Sequence, residues 1–168
     1  MALVVLVGLP GAGKSAVGRR VAKKLQVEFV DTDQRIESVT GVAVGDLIRK
    51  VGVEEFRRLE LAALSEVVIG DRVVATGGGI ITSKEARELL LDQPTLWLRA
   101  SPSALVSRVK GGDRPLLEGD PARRLEQLAL ERDDLYAEVS RGVVDAQGEL
   151  EVTVNRVLAI VKEWSTCE

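Results

Sequence analysis

The sequence predicts an α/β protein in which a parallel sheet of five strands is flanked by helices. Two features indicate this class. Short apolar runs alternate with amphipathic stretches along the chain, which is the order that builds a parallel sheet through helical crossovers. In addition, the first run, residues 2–7 (ALVVLV), is apolar without a break, as expected of a strand buried on both faces.

The individual elements follow from these runs in chain order. The predicted strands are 2–7, 27–30, 72–76, 95–98 and 142–145. Apolar residues from Val17 to Leu25 recur at helical spacing, so a helix follows the first strand. Residues 34–70 are mainly helical and longer than a crossover between two strands requires, which predicts a helical insertion. A final helix over about 151–163 is expected to cover the sheet.

An irregular region interrupts the helical second half of the chain. Residues 110–121 (KGGDRPLLEGDP) contain three glycines and two prolines. This composition is typical of a surface loop that can move, so we predict a mobile lid here.

A chain of 168 residues has room for one well-buried core. We therefore expect a single domain, 1–168, that carries both the insertion and the lid.

Composition narrows the classes of function. The formal charge of −3 provides no overall basic field, so nucleic acid is not an expected partner. The chain has no histidine, which excludes His-based triads, His metal sites and imidazole proton transfer. It has one cysteine, Cys167, and its opening apolar run is broken by Gly8 and Pro10. We expect a cytoplasmic monomer that binds no membrane.

The stretch GLPGAGKS, residues 8–15, matches the spacing G-x-x-x-x-G-K-[ST] between a predicted strand and a predicted helix. Its glycines let successive N–H groups converge on phosphate oxygens at a helix N-terminus. Lys14 would bridge the β- and γ-phosphates, and Ser15 would ligate Mg²⁺. A mere turn would not need these two residues. The fold is therefore expected to be P-loop NTPase-like, with a nucleotide site at Gly11, Ala12, Gly13, Lys14, Ser15 and Ala16.

Two carboxylates, Asp31 and Asp33 (DTD), follow the second predicted strand. Residues two apart at a strand end project to one side, so both could face the crevice into which the glycine loop opens. Asp31 could hold the hydration shell of Mg²⁺, and Asp33 could orient or deprotonate an acceptor hydroxyl. Either residue could instead cap the helix that starts near Gln34. Spacing alone leaves both interpretations open.

The inserted segment contains EEFRRLE, residues 54–60, on a predicted amphipathic helix. Arg57 and Glu60 are three residues apart, close enough for the carboxylate to hold the guanidinium in place. A guanidinium held in this way can bind a substrate carboxylate through two parallel hydrogen bonds. Taken alone, the pair is more typical of a solvent-exposed helix face.

Three consecutive glycines, Gly77, Gly78 and Gly79, follow the third predicted strand. They form no regular element and cost backbone entropy, which suggests that a ligand approaches the main chain closely. A tight turn from strand to helix would explain them equally well.

Two arginines belong to the predicted lid and to the helix after it. Arg114 lies in DRPLL, and Arg132 lies in ERDDLY, one helical turn before Tyr136. An arginine delivered by a closing loop can neutralise charge on a transferred phosphoryl group. Arg132 could instead pair with acidic neighbours such as Asp133. Without the other motifs, both are better explained as surface charges.

Together these motifs resemble the shikimate kinase family. GLPGAGKS, DTD, FRR, GGG, RPLL and ER..LY occur in this order between Gly8 and Tyr136. Each motif except the first is weak alone, but the combination is specific among proteins that share a phosphate loop. The resemblance implies Mg²⁺-assisted phosphoryl transfer from ATP to the 3-hydroxyl of shikimate, a step of aromatic amino-acid biosynthesis.

The resemblance also implies individual roles. The insertion 34–70 would bind the acceptor, with Asp33 on its hydroxyls and Arg57 and Arg132 on its carboxylate. The acceptor site would comprise Asp33, Arg57, Gly77, Gly78, Gly79 and Arg132. Ser15 and Asp31 would serve Mg²⁺, and Arg114 would reach ATP when the lid closes. The catalytic residues would be Lys14, Asp33 and Arg114.

Two other functions are compatible with a phosphate loop. A gluconate or nucleoside-monophosphate kinase uses similar loops and lids, but a nucleotide acceptor would not need the carboxylate clamp of Arg57 and Arg132. A nucleotide-dependent switch that reads guanine would carry an NKxD-like motif, which the sequence lacks. The adenine contact remains open in the region 144–151, where Arg108 or Lys110 could stack near the base.

Overall fold

A computed structural model describes residues 1–109 and 119–166. Within them, the sheet contains five strands in the order β2-β3-β1-β4-β5. The strands are β1 (Val4–Val7), β2 (Glu28–Asp31), β3 (Arg72–Ala75), β4 (Thr95–Arg99) and β5 (Gly142–Asp145). All four pairings between neighbouring strands are parallel. The predicted fold class is confirmed, with strand bounds that differ from the predicted ones by at most two residues.

Helices connect the strands and cover both faces of the sheet. They are α1 (Lys14–Leu25), α2 (Thr32–Thr40), α3 (Val44–Val51), α4 (Val53–Val67), α5 (Lys84–Leu91), α6 (Pro102–Val109), α7 (Pro121–Val139) and α8 (Leu150–Thr166). A short 3-10 helix, Ile80–Thr82, precedes α5. In the described part of the chain, none of the helices has the length and apolar character needed to cross a membrane.

The central strand β1 explains why the first apolar run has no polar interruption. Val4, Val5, Leu6 and Val7 are fully buried. Strands β3 and β4 pair with β1 on either side, and helices cover the sheet, so both faces of β1 require apolar side chains. The C-terminal end of β1 therefore leads from the middle of the sheet directly into the phosphate loop.

Helices α2, α3 and α4 form the insertion between β2 and β3. They bury a small apolar cluster of their own, made of Ile36, Leu47, Phe56 and Ala63. The insertion begins two residues earlier than predicted, because α2 starts at Thr32 rather than near Gln34. Its helical character is as predicted.

The predicted lid, 110–121, lies outside the described residues from 110 to 118, and Arg114 lies there too. Pro121, which the sequence assigned to the lid, is instead the first residue of α7. Asp120 caps that helix, since its carboxylate accepts from the backbone N–H groups of Ala122 and Arg123. Proline fits the first helical position, where no N–H is required.

Candidate active site

A pocket of about 650 Å³ lies at the edge of the sheet where β1, β2 and β3 end. It brings together residues from all the predicted motifs that the structure describes. These are Gly11, Gly13, Lys14, Ser15, Ala16, Asp31, Asp33, Arg57, Gly77, Gly78, Gly79 and Arg132. The phosphate loop, the DTD motif and the glycine run follow parallel strands whose carboxyl ends share one edge. Helices α4 and α7 bring Arg57 and Arg132 to the same edge. Ala12, the remaining residue of the predicted nucleotide stretch, lines an adjoining pocket.

Glycines shape the phosphate loop, residues 8–15. Gly8 and Gly13 have φ angles of 147° and 89°, a region that favours glycine. A Cβ atom on Gly8 would also lie 2.5 Å from the carbonyl oxygen of Leu98. Because Gly13 immediately precedes α1, the loop lies at the N-terminus of that helix, where backbone N–H groups and the helix dipole favour an anion.

Lys14 and Ser15 open helix α1 and line the pocket. Lys14 is largely buried, and its Nζ donates to the carbonyl oxygens of Gly8 at 2.8 Å and Leu9 at 3.0 Å. The hydroxyl of Ser15 donates to Oδ2 of Asp31 at 2.5 Å. An ammonium group and a hydroxyl–carboxylate pair therefore line the same pocket.

Asp31 both caps α2 and lines the pocket. Its Oδ1 accepts from the backbone N–H groups of Asp33 at 3.0 Å and Gln34 at 3.3 Å, while its Oδ2 accepts from Ser15. For this residue the interpretation as a cap is confirmed, and the predicted position at the crevice is present as well. The argument from strand alternation is wrong, because Asp33 lies in the first turn of α2 and reaches the pocket from a helix.

The carboxylate of Asp33 occupies an environment that disfavours its charge. Burial, followed by the negative charge of Asp31, raises the pKa of Asp33 from 3.8 to about 6, although Lys14 and Arg57 oppose the shift. Its Oδ1 is buried and has no hydrogen-bond partner among the described residues. At neutral pH this carboxyl is mostly ionised but is more basic than an exposed aspartate.

The pairing of Arg57 with Glu60 is confirmed, but the pair is not on a solvent-exposed face. Nη1 of Arg57 donates to Oε2 of Glu60, whose side chain is 1% exposed. Burial raises the pKa of Glu60, and the guanidinium of Arg57 partly offsets this effect. A Cβ atom on Gly79 would overlap the Arg57 guanidinium, so the glycine leaves the space that the cation occupies.

Arg132 is also buried, at 5% exposed, so its interpretation as a surface charge is wrong. Its Nη1 donates to the carbonyl oxygen of Gly78 at 3.0 Å. Tyr136, one helical turn later on α7, donates its hydroxyl to the same oxygen at 2.5 Å. The tight packing of α7 against the glycine run explains why a residue followed by two aspartates in the sequence lies inside the protein.

The three glycines are required mainly for space. None of them has a positive φ. A Cβ atom on Gly77 would lie 2.8 Å from Oδ1 of Asp33 and would overlap Glu60, while one on Gly78 would lie 3.0 Å from Pro10. The close approach seen here is by other parts of the protein, and a turn is present as well, since Gly79 precedes the 3-10 helix.

Sequence reasoning missed several residues that line the pocket. Glu60 was expected only as a partner of Arg57, and Phe56 was expected only to lie on the same amphipathic helix. Glu37, Ile48 and Thr76 belong to no recognised motif. Only the spacing of Glu60 from Arg57 gave a signal that could have identified one of them in advance.

The adjoining pocket contains Ala12, Gly13, Ala146 and Gly148, and thus part of the region 144–151. Arg108 lines both pockets, and its guanidinium donates to the carbonyl oxygens of Ala146 and Gln147, each at 2.9 Å. Of the two residues considered for the adenine contact, Arg108 is thus at the junction of the pockets. Lys110 lies outside the described residues.

A phosphate loop that opens into a pocket with a buried guanidinium group, a second one that is partly buried, and a carboxylate defines a P-loop kinase for a small acceptor. The sequence profile of the shikimate kinase family matches residues 10–162. The chain belongs to this family.

Individual relatives agree with this assignment. The shikimate kinase of Rhizobium meliloti is 42% identical over 164 residues, covering 95% of this chain and 85% of the relative. That of Corynebacterium efficiens is 42% identical over 140 residues, covering 82% of this chain and 83% of the relative. A structure of shikimate kinase from Acinetobacter baumannii in complex with shikimate superposes with a TM-score of 0.90 at 34% identity, covering 95% of this chain and 92% of the other.

Proposed function

We propose that this protein phosphorylates the 3-hydroxyl of shikimate with ATP, producing shikimate 3-phosphate for aromatic amino-acid biosynthesis. One observation carries the proposal: Asp33, Arg57 and Arg132 converge around Gly77–Gly79 in the pocket that also contains the phosphate loop. Two guanidinium groups suit the carboxylate of a small ring acid, and a carboxylate suits its hydroxyls. Membership of the shikimate kinase family supports the same acceptor.

The phosphate loop would hold the triphosphate of ATP. Backbone N–H groups from Gly11 to Ala16 would bind phosphate oxygens at the N-terminus of α1. Lys14 would exchange its contacts with Gly8 and Leu9 for the β- and γ-phosphates, so that its charge follows the group being transferred.

The residues at the loop fit a magnesium ion. Ser15 and Asp31 present hydroxyl and carboxylate oxygens 2.5 Å apart, and Mg²⁺ prefers oxygen ligands of this kind, with phosphate oxygens and water completing its shell. When bound, the ion would offset the negative charge of the β- and γ-phosphates. Asp31 would have to exchange its bond to Ser15 for the ion while keeping its cap on α2 through the other oxygen.

Asp33 would accept a hydrogen bond from the attacking hydroxyl and take its proton as the new bond to the γ-phosphorus forms. The bond from that phosphorus to the β–γ bridging oxygen breaks in the same step, and ADP leaves. Its pKa of about 6 makes it a better proton acceptor than an exposed aspartate. Phosphoryl transfer depends more on alignment and charge neutralisation than on a strong base. Orientation of the hydroxyl by Asp33 is therefore expected to matter at least as much as proton removal.

Arg114 would complete the neutralisation of charge on the transferred group by reaching ATP from the lid 110–121. We infer further that the chain acts as one domain and as a monomer, because Lys14, Asp33, Arg57 and Arg132 line one pocket of a single chain. A cytoplasmic site of action, without nucleic acid or membrane as a partner, is supported by the single cysteine and the formal charge of −3.

A panel of acceptors tests the proposed reaction. ADP release should be rapid with shikimate and Mg·ATP, and near background with gluconate or nucleoside monophosphates. A nucleoside monophosphate has no carboxylate for the two guanidinium groups, and gluconate is a flexible open chain that would lose more conformational entropy on binding than a ring acid. The measurement is a coupled assay at saturating ATP. Shikimate failing to stimulate ADP release while another acceptor does would refute the assignment.

Replacing Arg57 with alanine should raise KM for shikimate about a hundredfold and lower kcat, because a charge-assisted contact is worth about 1.5–3 kcal/mol and the acceptor also loses alignment. KM for ATP should change little. Arg58→Ala is the matched control, since the side chain of Arg58 is 79% exposed on the same helix.

The loss of Arg57 also leaves Glu60 buried without its cation, which costs stability. Thermal unfolding of both variants therefore accompanies the kinetics, and assays are run well below the lower Tm. An equal rise in KM for ATP and shikimate would count against a contact with the acceptor.

A further inference from the structure

Tyr136 is a buried phenol that the reaction as proposed above does not use. It lies on α7 against β4, where its ring stacks on Trp97 with centroids 5.7 Å apart. Its hydroxyl donates to the carbonyl oxygen of Gly78, the oxygen that also accepts from Arg132. Tyr136 itself does not line the pocket.

Two donors on one oxygen fix the orientation of the peptide between Gly78 and Gly79. This peptide is trans, so its N–H, which belongs to Gly79, points away from its carbonyl and hence away from Tyr136. Within residues 1–109 and 119–166, this N–H has no acceptor. Gly79 lines the pocket and lies against the guanidinium of Arg57.

We propose that Tyr136 is a positioning residue for the acceptor: by holding the carbonyl of Gly78, it aims the N–H of Gly79 into the pocket as a third donor beside Arg57 and Arg132. The inference rests on the proposed function, because the acceptor carboxylate is the group that would receive this donor. Tyr136 acts through the main chain and touches no reacting atom.

Arg132 and Tyr136 would respond differently to a bound acceptor, which explains why the carbonyl of Gly78 needs a second donor. Arg132 faces the pocket and would turn part of its guanidinium toward an anionic acceptor, which weakens its hold on Gly78. Tyr136 has no such competing partner among the described residues and can keep the peptide in place. Burial raises the pKa of its phenol above the ordinary value, so the hydroxyl stays protonated and continues to donate.

Tyr136→Phe removes the hydroxyl and keeps the ring. We expect KM for shikimate to rise about tenfold, the effect of losing a hydrogen bond and misaligning the N–H that depends on it, while KM for ATP stays within about twofold of the original. A purely structural role would lower Tm and leave the ratio of the two KM values unchanged.

The glycine run allows the amide proton of Gly79 to be observed directly by NMR. In protein labelled with ¹³C′,¹⁵N-glycine, only a glycine preceded by another glycine retains an amide signal in a carbonyl-filtered spectrum. The sequence contains three such glycines: Gly78, Gly79 and Gly112. On saturation with shikimate, the amide proton of Gly79 should move downfield in the original protein. In Tyr136→Phe at saturation the shift should be smaller.

Trp97→Phe provides the packing control, because it disturbs the ring stack and keeps the hydroxyl of Tyr136. This variant should lower Tm without changing the ratio of KM for shikimate to KM for ATP. A rise in KM for shikimate as large as that of Tyr136→Phe would overturn the proposal, as would an unshifted Gly79 amide in the original protein bound to shikimate. If the original protein does not phosphorylate shikimate, the proposed function fails, whereas an active original protein with an unchanged Tyr136→Phe refutes only the role of Tyr136.

Discussion

Replacing Lys14 with alanine should lower kcat about a thousandfold, the scale of losing a preorganised electrostatic group at a transition state. Lys14 is the ammonium group that the phosphate loop buries at the start of α1. In the free protein its charge is held by the carbonyls of Gly8 and Leu9, so it already lies in the phosphate loop before it exchanges these contacts for the phosphates. Charge that builds up between the β- and γ-phosphates during transfer would lose this neutralisation in the variant.

The measurement is kcat and KM for ATP at saturating shikimate, accompanied by thermal unfolding. Lys23→Ala is the matched control, since Lys23 is an exposed lysine of the same helix. Its kinetics should match those of the original protein. A Lys14→Ala enzyme with a raised KM for ATP but a kcat within about tenfold of the original would show that Lys14 binds ATP and its transition state equally.

Local sequence signals predicted the sheet and the phosphate loop well. Strand β5, Gly142–Asp145, has the predicted bounds, and the helix after the loop begins at Lys14. These features depend on residues near one another in the chain: an apolar run, the glycines of the loop and the helical spacing after it. The boundary at Asp31 was harder, because the same aspartate ends β2 and caps α2.

Burial of the charged residues could not be predicted from their neighbours. Glu60 and Arg132 lie in segments rich in charge, which favours an exposed interpretation, yet both are buried. Glu60 is buried where α4 faces Asp33 and Gly77, and Arg132 is buried where α7 meets Gly78. These contacts join residues far apart in the chain, so spacing within a single helix carries no information about them. The resemblance to a family supplied what the local pattern could not.

The part of the pocket near Gly77 concentrates buried ionisable groups, which lower the stability of a folded protein. Asp33 and Glu60 both approach Gly77, and burial raises the pKa of each carboxyl. Arg57 offsets part of this cost, but Oδ1 of Asp33 remains without a hydrogen-bond partner in the described part of the chain. In the proposed function, an acceptor hydroxyl would supply the missing donor, so the cost to the free protein would be recovered when the acceptor binds.

Asp33→Asn should therefore lower activity and raise stability at the same time. The amide has nearly the shape of the carboxylate but cannot take a proton, and we expect kcat to fall by about a hundredfold to ten-thousandfold. In the absence of ligands, the free energy of unfolding at pH 8 should increase by about 2 kcal/mol. This is somewhat less than a pKa displaced by about two units would give, because Asp33 is only partly screened from solvent.

The pH dependence identifies the origin of this gain. The carboxyl has a pKa of about 6 in the folded protein and 3.8 in its ordinary state, so between these values the folded state binds more protons. In the original protein this group therefore contributes a loss of stability as the pH rises from about 4 to about 6. The advantage of Asp33→Asn should be complete above about pH 7 and should shrink steadily as the pH falls toward 4.

Chemical denaturation at pH 5 and pH 8 measures this difference, with Asp71→Asn as the control for an exposed aspartate. Asp71→Asn should change the free energy of unfolding little, because the side chain of Asp71 is exposed. An Asp33→Asn gain equal at both pH values would mean that packing, and not a buried charge, limits the stability of this site. The other outcome is a gain in the free energy of unfolding that appears only at high pH, together with lost turnover. It would show that the carboxylate of Asp33 both destabilises the free protein and serves the reaction, because both effects require the same ionised, poorly solvated oxygen.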